Sequence, residues 1–125
     1  MNSIHCSHIL FRSALSFLLQ GMQVELKSAF GTVLRWLRVK RGRTQEDFST
    51  LSSRTYISTL ERGLYAPTIE KLDDLAAVLG VHPITLIVGS YALKDNRSVA
   101  KVLEGVIEEI KRLDLAEGIS KLRKY

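Results

Sequence analysis

A lone cysteine, Cys6, denies this chain an internal disulfide and fits a reducing compartment. Histidine is scarce too, at His5, His8 and His82. His5 and His8 flank Cys6, but three ligands near a chain terminus lack a fourth partner and a shell to fix them, so neither a metal nor another cofactor is expected. There is no nucleophile with a base at suitable spacing and no glycine loop that would cradle a phosphate, which leaves an enzyme as the least favoured class. The most apolar stretch, residues 1–20, holds Ile9, Leu10, Phe11, Ala14, Leu15, Phe17, Leu18 and Leu19. It lacks the basic start and small-residue cleavage pattern of a secretory signal, and is too short and interrupted to cross a bilayer. Three readings of it are open: a helix packed on the domain or a partner, an interfacial membrane segment, or an upstream extension of a protein that starts at Met22. The first and third agree with the rest of the chain, and no membrane partner is expected.

Acid is the minority charge. Eighteen Lys and Arg against thirteen Asp and Glu give a net charge of +5 and a sequence pI of about 9.6, which leans toward a polyanionic partner. The excess is concentrated. Between Arg35 and Arg62 lie seven basic residues (Arg35, Arg38, Lys40, Arg41, Arg43, Arg54, Arg62) and three acids (Glu46, Asp47, Glu61), a net +4. An apolar fraction of 46% with 25% charged residues over 125 residues describes one soluble globular core with tails.

That basic stretch has an internal grammar. Thr44 is a helix cap, and Gln45, Glu46 and Asp47 suit the positive end of a helix dipole. Ser52 and Ser53 compete with helical hydrogen bonds and mark a turn or a new cap. From Arg54 to Arg62 a second short helix places Tyr56, Ile57 and Leu60 inward and leaves Arg54, Thr55, Ser58 and Thr59 outside, until Gly63 stops it. Two short helices joined by a tight turn, the second with a polar and basic outer face, make the pattern of a DNA-reading helix-turn-helix.

The flanks supply a core. From about Lys27 to Arg41, Phe30, Val33, Leu34 and Leu37 fall at i, i+3, i+4 and i+7, with Trp36 and Val39 widening the stripe, and Gly42 ends the helix. Beyond Gly63, Thr68 caps a helix carrying Ile69, Leu72, Leu75, Ala76, Val78 and Leu79 that Gly80 stops. His82 and Pro83 open another, to which Ile84, Leu86, Ile87 and Leu93 give apolar bulk. The expected architecture is all-α: an apolar extension over 1–24, a five-helix domain over 25–93, and an amphipathic helix with a basic tail over 94–125. In the last part Val99, Leu103, Val106, Ile110 and Leu113 recur at steps of four and three, with Val102 and Ile107 beside them. Such a seam has to be covered, by the same chain or by a second copy in a homodimer.

Residues 30–89 resemble the Cro/C1-type helix-turn-helix domain of the XRE family, the fold of phage lambda-type repressors. The motifs that carry the resemblance are Leu34 to Arg43, Thr44-Gln45-Glu46-Asp47-Phe48, Ser53-Arg54-Thr55-Tyr56-Ile57-Ser58 to Leu60-Glu61-Arg62-Gly63, and Pro67-Thr68 to Leu79-Gly80-Val81. The resemblance implies that Arg54, Thr55 and Thr59 reach base edges in the major groove, with Ser53 and Ser58 as helpers. It implies that Gln45 fixes a phosphate, with Arg43 and Arg62 as further phosphate contacts. Arg38 and Glu61 match a pair that ties the first helix to the end of the recognition helix. One departure is visible: between Ser49 and Ser53 stand only Thr50, Leu51 and Ser52, a shorter linker than is usual in the family and without its glycine, and Leu51 takes the place of a buried valine.

The function expected is that of a cytoplasmic, bacterial or phage-type regulator that binds double-stranded DNA as a dimer, a repressor of its own or neighbouring genes. The alternative is a protein-interaction module on the same fold, an antitoxin-like partner or a transcription adaptor.

Overall fold

The structure, a computed structural model, describes residues 24–125. All of the apolar extension before Val24, with the His5, Cys6 and His8 group, lies outside the described residues. The rest is helical: α1 (Leu26–Lys40), a 3-10 turn η1 (Gln45–Phe48), α2 (Arg54–Glu61), α3 (Ile69–Leu79), α4 (Pro83–Lys94), α5 (Val99–Arg112) and α6 (Leu115–Leu122).

Local chemistry sets the boundaries. Ser53, Thr68 and Ser98 each accept a hydrogen bond from the backbone N–H three residues on, satisfying a donor that the first turn leaves without a partner. His82 performs the same service through Nδ1, which accepts from the Ile84 N–H at 3.1 Å, and Pro83 follows in the first helical position. Gly42, Gly63 and Gly80 take left-handed φ values of 66°, 72° and 68° where α1, α2 and α3 end.

The core forms where these helices meet. Phe30 and Leu34 of α1, Phe48 of η1, Ile57 and Leu60 of α2, Leu75, Ala76 and Leu79 of α3, and Leu86 of α4 make one buried cluster. Each large side chain among them is worth roughly 1.5–3 kcal/mol of burial. Leu51 packs against the cluster from the turn, half-buried. α4 lies along α1, and α5 rests on α4.

Three expectations change. The element opened by Thr44 is a single 3-10 turn, continued by turns over residues 49–52, instead of an α-helix. Ser49, Thr50, Ser52 and Ser53 favour local side-chain bonding over a helix interior, and the short linker leaves no room for another turn before the Ser53 cap. Trp36 and Val39 do not widen the buried stripe but stand 58% and 63% exposed, and Ile69, Ile84 and Leu93 are exposed as well. Residues 115–122, expected as a basic tail, form two turns of helix. Among the described residues no single helix is long and apolar enough to cross a membrane.

Candidate nucleic-acid interface

The geometry of α2 follows from how unequally its two ends are held. At its C-terminal end, α1 crosses so closely that a Cβ on Gly31 would lie 2.2 Å from the carbonyl oxygen of Leu60 and 2.7 Å from that of Glu61. Gly63, one residue past the Arg62 cap, sits equally close to Ser28, where a Cβ would meet the Ser28 Cα at 2.7 Å. Glycine at both positions lets two backbones touch, and so sets the height of α2 on the domain.

A side-chain clamp reinforces the contact. Arg38 donates through Nε and Nη2 to the two carboxylate oxygens of Glu61, at 2.5 and 3.1 Å, and through Nη1 to the Arg43 carbonyl at 3.0 Å. Gln45 donates through Nε2 to Glu61 Oε2 at 3.0 Å. Glu61 thus joins α1, η1 and α2 in one network, and its hydrogen bonds raise the Arg38 guanidinium pKa above its ordinary value. Elsewhere Arg41 donates to the Leu79 carbonyl at 2.9 Å, tying the end of α1 to the end of α3, and Lys71 donates to the Leu51 carbonyl at 2.5 Å, bracing the shortened turn.

The N-terminal half of α2 is presented to solvent. Ser53, Arg54 and Thr55 are exposed, Ser58 and Thr59 half-buried, and Ile57 and Leu60 buried beneath them. The Ser53 hydroxyl oxygen is occupied as a cap, and Thr59 donates its hydroxyl to the Tyr56 carbonyl at 2.6 Å. With its hydroxyl hydrogen so used, the Thr59 oxygen is left as an acceptor. Thr55 is exposed on the first turn. Arg54 extends outward and meets Glu46 of η1 at 3.4 Å, both side chains well exposed. Tyr56 is half-buried and its hydroxyl pKa is raised by burial. Arg43 and Arg62 are exposed as well, Arg62 folding back weakly onto the Ser58 carbonyl at 3.4 Å. The residues assigned from the sequence thus divide into the exposed Ser53, Arg54 and Thr55, the half-buried Ser58 and Thr59, the exposed Arg43 and Arg62, and a partly buried clamp of Arg38, Glu61 and Gln45. Among the described residues no three His, Cys, Asp or Glu side chains converge as a metal site would require.

The helix-turn-helix family model matches residues 34–86, from the middle of α1 to the start of α4. An HTH-type transcriptional regulator of Sinorhizobium fredii, y4dJ, is 36% identical over 66 residues, covering 51% of this chain and 86% of that protein. The chain belongs to the Cro/C1-type helix-turn-helix regulators. The crystal structure of the clp gene regulator ClgR from C. glutamicum is similar at 26% identity with a TM-score of 0.53, covering 56% of this chain and 94% of that one. DNA-binding regulation of transcription is the business of this family.

Within the family frame, several residues of this regulator carry positions that the sequence left silent. Gly31 is the clearest, with a detectable signal: a glycine inside an otherwise regular amphipathic helix costs about 1 kcal/mol relative to alanine and so asks for a packing reason. Arg41 and Lys71 read as ordinary surface cations, because their acceptors lie 38 and 20 residues away. Glu46 reads as a dipole-matched acid, and its contact with Arg54 depends on how tightly the turn closes.

Proposed function

We propose that this regulator is a dimeric repressor that lays α2 in the major groove of a palindromic site. Arg54, Thr55 and Thr59 face base edges, with Ser53 and Ser58 beside them, while Arg43, Arg62 and the second amide hydrogen of Gln45 hold phosphates. The observation that carries this is the asymmetry of α2, pinned through Gly31, Gly63 and Glu61 at one end and open to solvent at Arg54 and Thr55 at the other. A rigid helix with an exposed polar start is what major-groove entry needs. The regulators it resembles act on genes, and a repressor of its own or neighbouring genes is the simplest role for a small reader. Such a protein works where bacterial or phage DNA is, in the cytoplasm.

Dimerisation rests on α5. No residue of α5 is fully buried, yet Val99, Leu103, Val106, Ile107 and Leu113 stand exposed along it, and Ile110 is half-buried. The stripe continues onto α1 and α4 as an apolar groove of about 530 Å³ whose walls include Val33, Trp36, Ile84, Val88, Val99 and Leu103. An apolar surface of that extent calls for a cover, and a second copy supplies one while doubling the base contacts that a single small reader makes. Two-fold symmetry then sets half-sites about 10–10.5 bp apart.

Selection of bound sites from random duplexes tests the proposal, since sequence, symmetry and spacing emerge together. A palindrome with that spacing is the expected product; recovery of no enriched sequence overturns the proposal. A chain that stays monomeric and retains no duplex at low salt is instead the protein-interaction module, with the same apolar stripe as its docking face.

A further inference from the structure

The three polar side chains of η1 have separate employments. Gln45 donates to Glu61, and Asp47 accepts the Thr44 backbone N–H at 2.6 Å to close the turn. Glu46 is left for Arg54, whose Nη1 it approaches at 3.4 Å across the turn. The pair exists because the linker is short: with only Thr50, Leu51 and Ser52 between Ser49 and Ser53, and with Lys71 holding the Leu51 carbonyl, η1 is held beside the first turn of α2.

The contact leaves a defined part of Arg54 available. A guanidinium offers two parallel N–H groups along its Nε–Nη2 edge, the edge by which Arg38 grips both oxygens of Glu61. Among the described residues that edge of Arg54 makes no hydrogen bond, while Glu46 occupies Nη1. A parallel pair of donors matches the O6 and N7 acceptors that guanine shows in the major groove. Arginine at the start of a helix also has the wrong charge for the dipole there, and a nearby carboxylate offsets it.

We propose that Glu46 is a positioning residue for sequence reading: it holds Arg54 by Nη1 so that the Nε–Nη2 edge faces a guanine. The inference rests on the reading of α2 as the base-reading helix and adds to it a residue outside that helix. Glu46 touches no base. It acts through Arg54, and its negative charge beside the phosphates weakens contact with every sequence alike. Its effect is therefore split, with lower general affinity and higher discrimination at one base pair.

The test uses the full chain and the duplex it selects from random sequence. Single-base variants of that duplex are titrated with wild type, Glu46→Gln, Arg54→Ala and the double variant. Arg54→Ala identifies the base pair that Arg54 reads, where a bidentate contact discriminates by roughly five- to 150-fold. Glu46→Gln is expected to lower discrimination at that base pair by about two- to fivefold, the scale of an exposed ion pair, and to leave the other positions unchanged. Binding to an unrelated duplex stays equal or tightens. In the Arg54→Ala background Glu46→Gln has no further effect on discrimination. Unchanged discrimination at that base pair, or an equal change at all positions, overturns the role of Glu46 while leaving the reading of α2 intact. If Arg54→Ala alters no base preference, the reading of α2 by Arg54 fails first, and the role of Glu46 fails with it. Glu46 is 64% exposed, so its replacement leaves the core untouched and the variant folds.

Discussion

Replacing Gly31 with alanine should destabilise the protein, although the substitution improves the helix in which it sits. Alanine in the interior of α1 is worth about 0.5–1 kcal/mol over glycine in backbone entropy. Against this, the new Cβ would stand 2.2 Å from the Leu60 oxygen, 2.7 Å from the Glu61 oxygen and 2.9 Å from the Glu61 carbonyl carbon. Close carbon-to-oxygen contacts settle at about 3.3–3.6 Å, so the helices have to separate by about 1 Å. Every atom in the way is backbone, and no rotamer change relieves it. Overpacking of this kind costs typically 1–3 kcal/mol, and here the shift also pulls Glu61 away from Arg38. The net expectation is a loss of about 2 kcal/mol, which lowers the melting temperature by roughly 10 °C in a domain of this size. Thermal unfolding followed by circular dichroism measures it. Gly105→Ala in α5, where a Cβ would meet nothing within 4 Å, is the control and should be neutral or stabilising. A Gly31→Ala protein as stable as wild type would refute the claim that backbone contact sets the height of α2.

Other perturbations separate the remaining parts. Glu61→Ala leaves the Arg38 guanidinium, whose side chain is 14% exposed, without its carboxylate, and should cost about 3 kcal/mol by urea unfolding; a loss below about 1 kcal/mol would remove the clamp from the account. Burial raises the Tyr56 pKa above its ordinary 10.0, so the folded state keeps its proton after the unfolded chain has released it. Stability should therefore be fully present below pH 10.0 and fall as pH rises beyond it, and Tyr56→Phe should shallow that fall; equal pH slopes for the two proteins would refute it. Leu103→Asp with Val106→Asp, both on the exposed stripe of α5, should convert dimers to monomers in sedimentation at unchanged helix content, whereas an unaltered mass would move the interface elsewhere.

Much of this fold is legible in the sequence because its boundaries are chemical. Thr68, the His82-Pro83 pair, and the glycines at 42, 63 and 80 announce helix starts and stops through local bonding and backbone freedom, and the structure has ends beside each of them. Periodicity locates apolar stripes equally well, but it does not say what covers them. Phe30 and Leu34 go inside, while Trp36 on the same helix borders a groove that the described chain leaves open and Val39 stands exposed. The 3-10 turn at Gln45 escapes propensity because a four-residue element has too few residues to show a period. The outward face of α2 is legible in Thr55, which lies on the side of the helix opposite Ile57 and Leu60, and in Arg54 at its exposed first position. Of what holds that face in place, the Arg38 and Glu61 pair is legible through the family resemblance, and the rest is not. Gly31 against Leu60, Arg41 on Leu79 and Lys71 on Leu51 join residues far apart in sequence, and each is decided by the packing of whole helices.

The central claim is that the Arg54 face distinguishes DNA sequences while the flanking arginines supply general affinity. The most direct measurement is a salt series of binding to the selected duplex and to a scrambled duplex of equal length, for wild type and Arg54→Ala. With Arg43 and Arg62 neutralising phosphates on each of two copies, the logarithm of affinity should fall against that of salt with a slope of roughly −3.6 or steeper. Arg54→Ala should keep most of that slope and lose most of the preference between the two duplexes. A wild-type protein that binds both duplexes equally, or neither at low salt, would contradict the account.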